Sequence, residues 1–277
     1  MPYFVFSDID GTLLNHNDYS FGNLENYIKA IKNNVSLIFN TSKTFSEVTH
    51  INKKLSLNAP FIVENGACIF FPLGYIDKMK YRSQNNFFTY KKYIAYKITY
   101  LTSEDIISMI SKLKKLFNFS FYSELSNEQV MECTNLEVDC AKRSKKRLFT
   151  NPILWRDSIK NFKRFKSEIK KINNKLTVLK GGRFIHISDS YDKGVALKKF
   201  IEVVKPFING ELITVSLGDS ENDISMLEST DYSCIVKREK NKITLKKKKN
   251  IYFSQTEAPN GWKESLDYVL KMENQDF

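Results

Sequence analysis

Tyr3-Phe4-Val5-Phe6-Ser7-Asp8-Ile9-Asp10-Gly11-Thr12 runs from a strongly apolar segment straight into paired carboxylates. Outward from it, Leu24 to Ile31 repeats apolar residues at helical spacing and Ser36 to Asn40 reads as a second short strand. Thr44-Phe45-Ser46-Glu47 has the form of a capping box opening a helix to about Leu55, and Phe61-Ile62-Val63 supplies a third strand. Strand, helix, strand, helix, strand implies a parallel sheet and an α/β fold class. In open sheets of this kind ligands gather outside the carboxyl ends of the strands, where Asp8, Thr41 and Glu64 would emerge.

From residue 83 the pattern changes. Phe87 to Tyr100 alternates aromatic and polar residues, and Thr102-Ser103-Glu104-Asp105 caps a helix. Asp157 to Asn173 carries Ile159, Phe162, Phe165, Ile169 and Ile172 near one helical face, and Lys175 to Lys180 with Arg183 to Ser188 flank Gly181-Gly182 as a hairpin. These features predict an α+β domain over 83–188, inserted into a core made of 1–82 and 189–277. The α/β rhythm resumes with a helix from Lys193 to Val204, a strand from Leu212 to Leu217 and a helix after Asp223. The last strand runs into a second acidic cluster, Gly218-Asp219-Ser220-Glu221-Asn222-Asp223.

At 277 residues the chain can hold one large core or a core with an insert. Hydrophobic content of 42% and charged content of 27% are ordinary for a globular protein. No stretch approaches the roughly 20 apolar residues of a membrane span, and the first strand leaves no room for a signal peptide, so a cytoplasmic location is expected. Cys68, Cys133, Cys140 and Cys234 lack paired metal-type spacing and are read as reduced thiols. The net charge of +12 comes mostly from scattered Lys, and the run Lys246 to Lys249 reads as a solvated loop. A basic nucleic-acid-binding protein would leave both acidic clusters without a purpose.

Carboxylates beside buried strands are costly unless a cation or a reaction uses them, so the two clusters predict a shared Mg²⁺ site and phosphoryl transfer. One carboxylate of the first cluster can attack phosphorus while the other protonates the leaving oxygen and later activates water. Asp219, Asn222 and Asp223 supply the rest of the metal shell. Thr41-Ser42-Lys43 at the end of the second strand offers a hydroxyl and backbone N–H groups near a helix start, and Lys193, opening a later helix, adds a cation.

Asp8-Ile9-Asp10-Gly11-Thr12, Thr41-Ser42, Lys193-Gly194 and Gly218 to Asp223 together resemble the four motifs of haloacid-dehalogenase-type (HAD) phosphatases, in particular the type IIB, Cof-like branch. Ser42-Lys43-Thr44, Glu64-Asn65-Gly66-Ala67, Gly181-Gly182-Arg183-Phe184 and Glu257-Ala258-Pro259-Asn260-Gly261-Trp262 further resemble the mannosyl-3-phosphoglycerate phosphatase family. The resemblance implies a Rossmann-like core with a C2B-type cap, Asp8 as nucleophile and Asp10 as general acid and base. It implies Mg²⁺ held by Asp8, the Asp10 carbonyl and Asp219, supported by Asn222 and Asp223, and phosphate held by Thr41, Ser42 and Lys193. The implied partner is a small phosphorylated glycoside, with no nucleic acid and no membrane, acted on by a monomer or homodimer. Arg183 suits a glycerate carboxylate, and His186 is expected on the same strand face as a structural histidine. Arg147-Leu148-Phe149-Thr150-Asn151-Pro152 resembles the family segment Arg-x-x-Ser-Glu-Pro, with Asn151 in place of Glu, an amide able to bond a sugar hydroxyl; the sugar stays open. A phosphosugar mutase would use similar motifs. A sugar-nucleotide glycosyltransferase would leave Asp219 to Asp223 and Lys193 unexplained.

Overall fold

The computed structural model describes residues 3–77, 84–180, 183–239, 243–246 and 249–273. The chain divides into two compact units, one of Met1–Ser42, His50–Lys97 and Asp192–Phe277, the other of Lys43–Thr49 and Ile98–Tyr191.

In chain order the first stretch holds β1 (Tyr3–Ser7), α1 (Leu24–Ile31), β2 (Val35–Asn40), α2 (Phe45–Lys54), β3 (Phe61–Val63), β4 (Cys68–Pro72), β5 (Phe87–Tyr90) and β6 (Tyr93–Lys97). The middle stretch holds α3 (Ser103–Ile110), β7 (Phe119–Phe121), α4 (Asn127–Thr134), α5 (Val138–Ser144), β8 (Ile153–Trp155), α6 (Ile159–Ile172), β9 (Thr177–Lys180) and β10 (Ile185–Ser188). The last holds α7 (Lys193–Val204), β11 (Ile213–Gly218), α8 (Ile224–Leu227), β12 (Tyr232–Lys237), β13 (Ile251–Glu257) and α9 (Asn260–Glu273).

One sheet of the first unit runs β13-β12-β11-β1-β2-β3-β4-β6-β5, parallel from β13 to β3 and antiparallel beyond. β1 is an interior strand of its parallel part, and Phe4, Val5 and Phe6 are apolar on both faces, as a doubly covered parallel strand requires. Phe200 of α7 packs edge-on against Phe4 and Phe6, with ring centroids 5.9 and 5.4 Å apart. Each large side chain buried in this way contributes about 1.5–3 kcal/mol. The capping box read at α2 is formed: Glu47 Oε2 accepts from Thr44 N at 2.9 Å, and Thr44 Oγ1 accepts from Glu47 N at 3.2 Å.

The insert starts later than expected. β5 and β6 pair onto β4, so the run from Phe87 to Lys97 extends the large sheet, and the second unit takes up at Ile98 and ends at Tyr191. Aromatic alternation marks a strand without naming its partner. Here Phe70 and Phe61 provide one, with Tyr93 5.3 Å from the Phe61 ring and 6.3 Å from that of Phe70.

The second unit is α+β, with the antiparallel order β7-β8-β10-β9. Its core joins Phe119, Phe121, Ile153, Phe165, Ile169 and Ile185. α3 carries the expected Thr102–Asp105 capping box, and α6 starts on Ser158, whose hydroxyl accepts from Asn161 N. β9 and β10 form the expected hairpin; its turn, Gly181-Gly182, lies outside the described residues, as do Lys247 and Lys248. Among the described residues no helix is long and apolar enough to cross a membrane.

Candidate active site

Parallel pairing sets the acidic segments side by side. Ser7 is level with Leu217 of β11 and Phe39 of β2, so Asp8 leaves β1 between the ends of both neighbours, and Asp8 N donates to Leu217 O at 3.0 Å. The chain leaves β1 towards β2 on one side and leaves the adjacent β11 towards β12 on the other, and open α/β sheets form a crevice where connections diverge in this way. Gly11 turns the chain at φ +76°, with its N–H on Leu14 O, and a Cβ at Gly11 would stand 2.7 Å from Asp219 Oδ2. Glycine there both permits the left-handed turn and lets the two acidic segments touch.

Carboxylate oxygens of Asp8, Asp219 and Asp223 lie within 4.8 Å of one another, and all three residues are buried. Lys193, first residue of α7 and wholly buried, places Nζ 2.8 Å from Asp8 Oδ1 and 2.6 Å from Asp223 Oδ1. Asp223 Oδ2 accepts from the backbone N–H groups of Asp219 and Ser220 at 3.1 and 3.0 Å. Asp219 Oδ1 accepts from Thr12 Oγ1 at 3.0 Å, and its Oδ2 from Arg238 Nη1 at 2.8 Å. Three carboxylates thus face two cations, leaving one negative charge in excess when all are ionised.

That excess appears in the titration of the groups. Burial, then repulsion from Asp223 and Asp8, pushes Asp219 up to about 7, against the pull of Arg238 and the Thr12 hydroxyl. Burial likewise raises Asp223 despite its pairing with Lys193. Burial would lower Lys193, but Asp223 and Asp8 outweigh it and hold the ammonium well above its usual range. A compact set of hard oxygen donors with unbalanced negative charge fits Mg²⁺.

The sequence reading missed three supports of this cluster. Trp262 of α9, fully buried, donates Nε1–H to Ser7 Oγ at 2.8 Å, and Ser7 Oγ–H donates to the Asp8 carbonyl at 2.6 Å. A serine closing a strand carries no signal of this, and Trp262 was read only as part of a family-like tail. Ser7→Ala is expected to cost about 1–3 kcal/mol in urea unfolding, because the indole N–H would be buried without an acceptor; an unchanged midpoint would show the chain of bonds to be idle. Arg238 is the third, hidden among the charged residues that follow β12.

The expected site residues separate between the units. Asp8, Asp10, Thr41, Ser42, Lys193, Asp219, Asn222 and Asp223 belong to the first. There Thr41 follows β2, its N–H on Ile62 O and its carbonyl accepting from Asn65 N, and Asn40 Nδ2 donates to the Lys193 carbonyl at 2.9 Å. Asp10 stands outside the carboxylate trio. Asn222 is exposed, and its Nδ2 donates to Asn65 Oδ1 at 3.2 Å while its Oδ1 accepts from Ser220 Oγ at 2.6 Å. Lys43 and Arg183 belong to the second unit. Lys43 is buried 3.5 Å from Glu47, and Arg183 is exposed just before β10. His186 lies within β10, half-buried; burial and then the Arg147 charge lower its imidazole to about 4, which favours the neutral form.

Asn151, whose amide could bond a sugar hydroxyl, has its hydrogen bonds within the second unit. It is 2% exposed, its Nδ2 donates to Ser123 Oγ at 2.9 Å and to Ser103 Oγ at 3.3 Å, and its Oδ1 accepts from Ser123 N at 3.3 Å. The amide is spent tying β7, β8 and the start of α3 together.

A family model described as haloacid dehalogenase-like hydrolase matches residues 5–261. The chain is 35% identical over 269 residues to a glucosyl-3-phosphoglycerate/mannosyl-3-phosphoglycerate phosphatase from Persephonella marina, covering 96% of each chain. It is 30% identical over 239 residues to a protein of the same name from Methanococcoides burtonii, covering 86% of each. A solved structure from Thermotoga maritima matches 98% of this chain and 96% of its own with a TM-score of 0.65 at 20% identity, a likeness of fold.

Proposed function

The chain belongs to the haloacid dehalogenase-like hydrolases, and we propose that it is a Mg²⁺-dependent phosphomonoesterase that removes phosphate from mannosyl-3-phosphoglycerate or a close glycosyl-3-phosphoglycerate. The observation that carries the chemistry is the buried trio of Asp8, Asp219 and Asp223 around Lys193 at the centre of the sheet's carboxyl edge. The substrate class rests on the names of the two relatives.

In this reading the Asp8 carboxylate attacks phosphorus, the ester P–O bond breaks, and Asp10 gives its proton to the departing glycerate oxygen. The resulting aspartyl-phosphate is cleaved by a water whose proton returns to Asp10, freeing inorganic phosphate and restoring Asp8. Lys193 keeps Asp8 oriented throughout, while Thr41 and Ser42 hold the phosphoryl oxygens. Mg²⁺, held by Asp8, Asp219 and the Asp10 carbonyl with Asp223 behind, would supply the positive charge that lets a carboxylate approach a phosphate dianion. The second unit is the cap that selects the substrate, with Lys43 and Arg183 as cations for phosphate and glycerate carboxylate.

Phosphate release measured across glucosyl- and mannosyl-3-phosphoglycerate, simple sugar phosphates and a generic aryl phosphate, with Mg²⁺ or EDTA, tests this. The glycosyl-phosphoglycerates should lead by at least about tenfold in kcat/KM, all activity should vanish in EDTA, and Arg183→Ala should penalise only substrates bearing the glycerate carboxylate. Equal rates on every ester would remove the substrate assignment. Phosphate retained on the product would indicate a mutase.

A further inference from the structure

Asp219 is held by a group outside every segment that suggested the site. Arg238 stands one residue beyond β12, the strand beside β11, and parallel pairing of Gly218 with Ile235 brings the ends of both strands together. From there its Nη1 reaches Asp219 Oδ2 at 2.8 Å, and its Nη2 meets His16 Nε2 at 2.8 Å. The Asp219 side chain is fully buried, whereas that of Arg238 is 31% exposed, so the guanidinium closes the carboxylate from the solvent side. Thr12 already occupies Oδ1. With both oxygens engaged, a cation that binds Asp219 must share or displace one of these partners.

We propose that Arg238 is a tethered counter-ion that competes with the divalent metal for Asp219 and thereby weakens and tunes metal affinity. The inference rests on the metal-dependent reading above. Charge decides the direction. With Arg238 the three carboxylates are opposed by two cations; without it only Lys193 opposes them, and the attraction for a divalent ion rises. The guanidinium is bound to the chain and always at hand, so metal gains Asp219 by outbidding it in concentration. A displaced guanidinium has a second partner in His16 at the rim, so leaving Asp219 does not strand it.

Isothermal titration of the substrate-free protein with Mn²⁺ and with Mg²⁺, for wild type, Arg238→Gln and Arg238→Lys, tests the proposal. Arg238→Gln should bind each metal at least about tenfold more tightly, with Arg238→Lys between the two. Melting curves provide an independent readout: in EDTA Arg238→Gln should melt below wild type, because Asp219 has lost its pair, and Mn²⁺ should raise its Tm by more than it raises that of wild type. Affinities equal within about twofold, or weaker binding by Arg238→Gln, would overturn the competition and leave the metal reading standing. A wild type that binds neither metal would overturn both.

Discussion

Asp8→Asn should lower the steady-state rate of phosphate release by about 10³- to 10⁵-fold while leaving the protein folded. The amide is nearly isosteric, so the loss isolates nucleophilicity from shape. Asp8 Oδ1 sits 2.8 Å from Lys193 Nζ, and an amide oxygen can keep that contact without the charge. Lys193 retains Asp223 at 2.6 Å, so its ammonium is not stranded. Removing one of three crowded carboxylates also relieves the repulsion that helps push Asp219 up to about 7, so thermal stability in EDTA should hold or rise. Activity lost with stability kept is the signature of a reacting group. A variant within about threefold of wild type would exclude Asp8 as the nucleophile, whatever the cluster's geometry.

Much of this site was legible because its parts lie on local signals. β1, α1, β3 and α7 start and stop where apolar periodicity, caps and turn residues say they should, and paired acidic clusters at two strand ends need no tertiary information to be noticed. Proximity then follows from the parallel sheet, since strand ends on one edge converge. What stayed hidden depends on partners. The run from Phe87 to Lys97 was recognisable as extended, but only β4 determines which sheet it joins. Asn151 carried the right chemistry for a sugar, yet Ser103 and Ser123, 48 and 28 residues away in the chain, consume it. Ser7, Trp262 and Arg238 gain their meaning from residues more than a strand away, and Arg238 looked like any other surface charge.

Lys193→Met should destabilise the protein by about 3–5 kcal/mol at pH 7 and abolish activity, because it leaves a buried pair of carboxylates without their cation. Met matches the length of the lysine stem, so lost packing is small and the effect is electrostatic. Lys193 is wholly buried between Asp8 and Asp223, which leaves water little means to replace the ammonium. The pH dependence identifies the cause. Asp223 is already raised by burial even with Lys193 present, and losing that cation raises it further. A carboxyl whose folded pKa lies above its unfolded value favours the folded state below the unfolded pKa, near 4, and loses that advantage as pH rises through the folded value. The deficit of Lys193→Met relative to wild type in urea unfolding should therefore grow from pH 5 to pH 8. Adding Asp223→Asn should recover about half of it, since the amide oxygen can still accept from Asp219 N and Ser220 N without the charge. A deficit under about 1 kcal/mol at pH 7, or one that shrinks as pH rises, would mean that Lys193 does not neutralise this cluster.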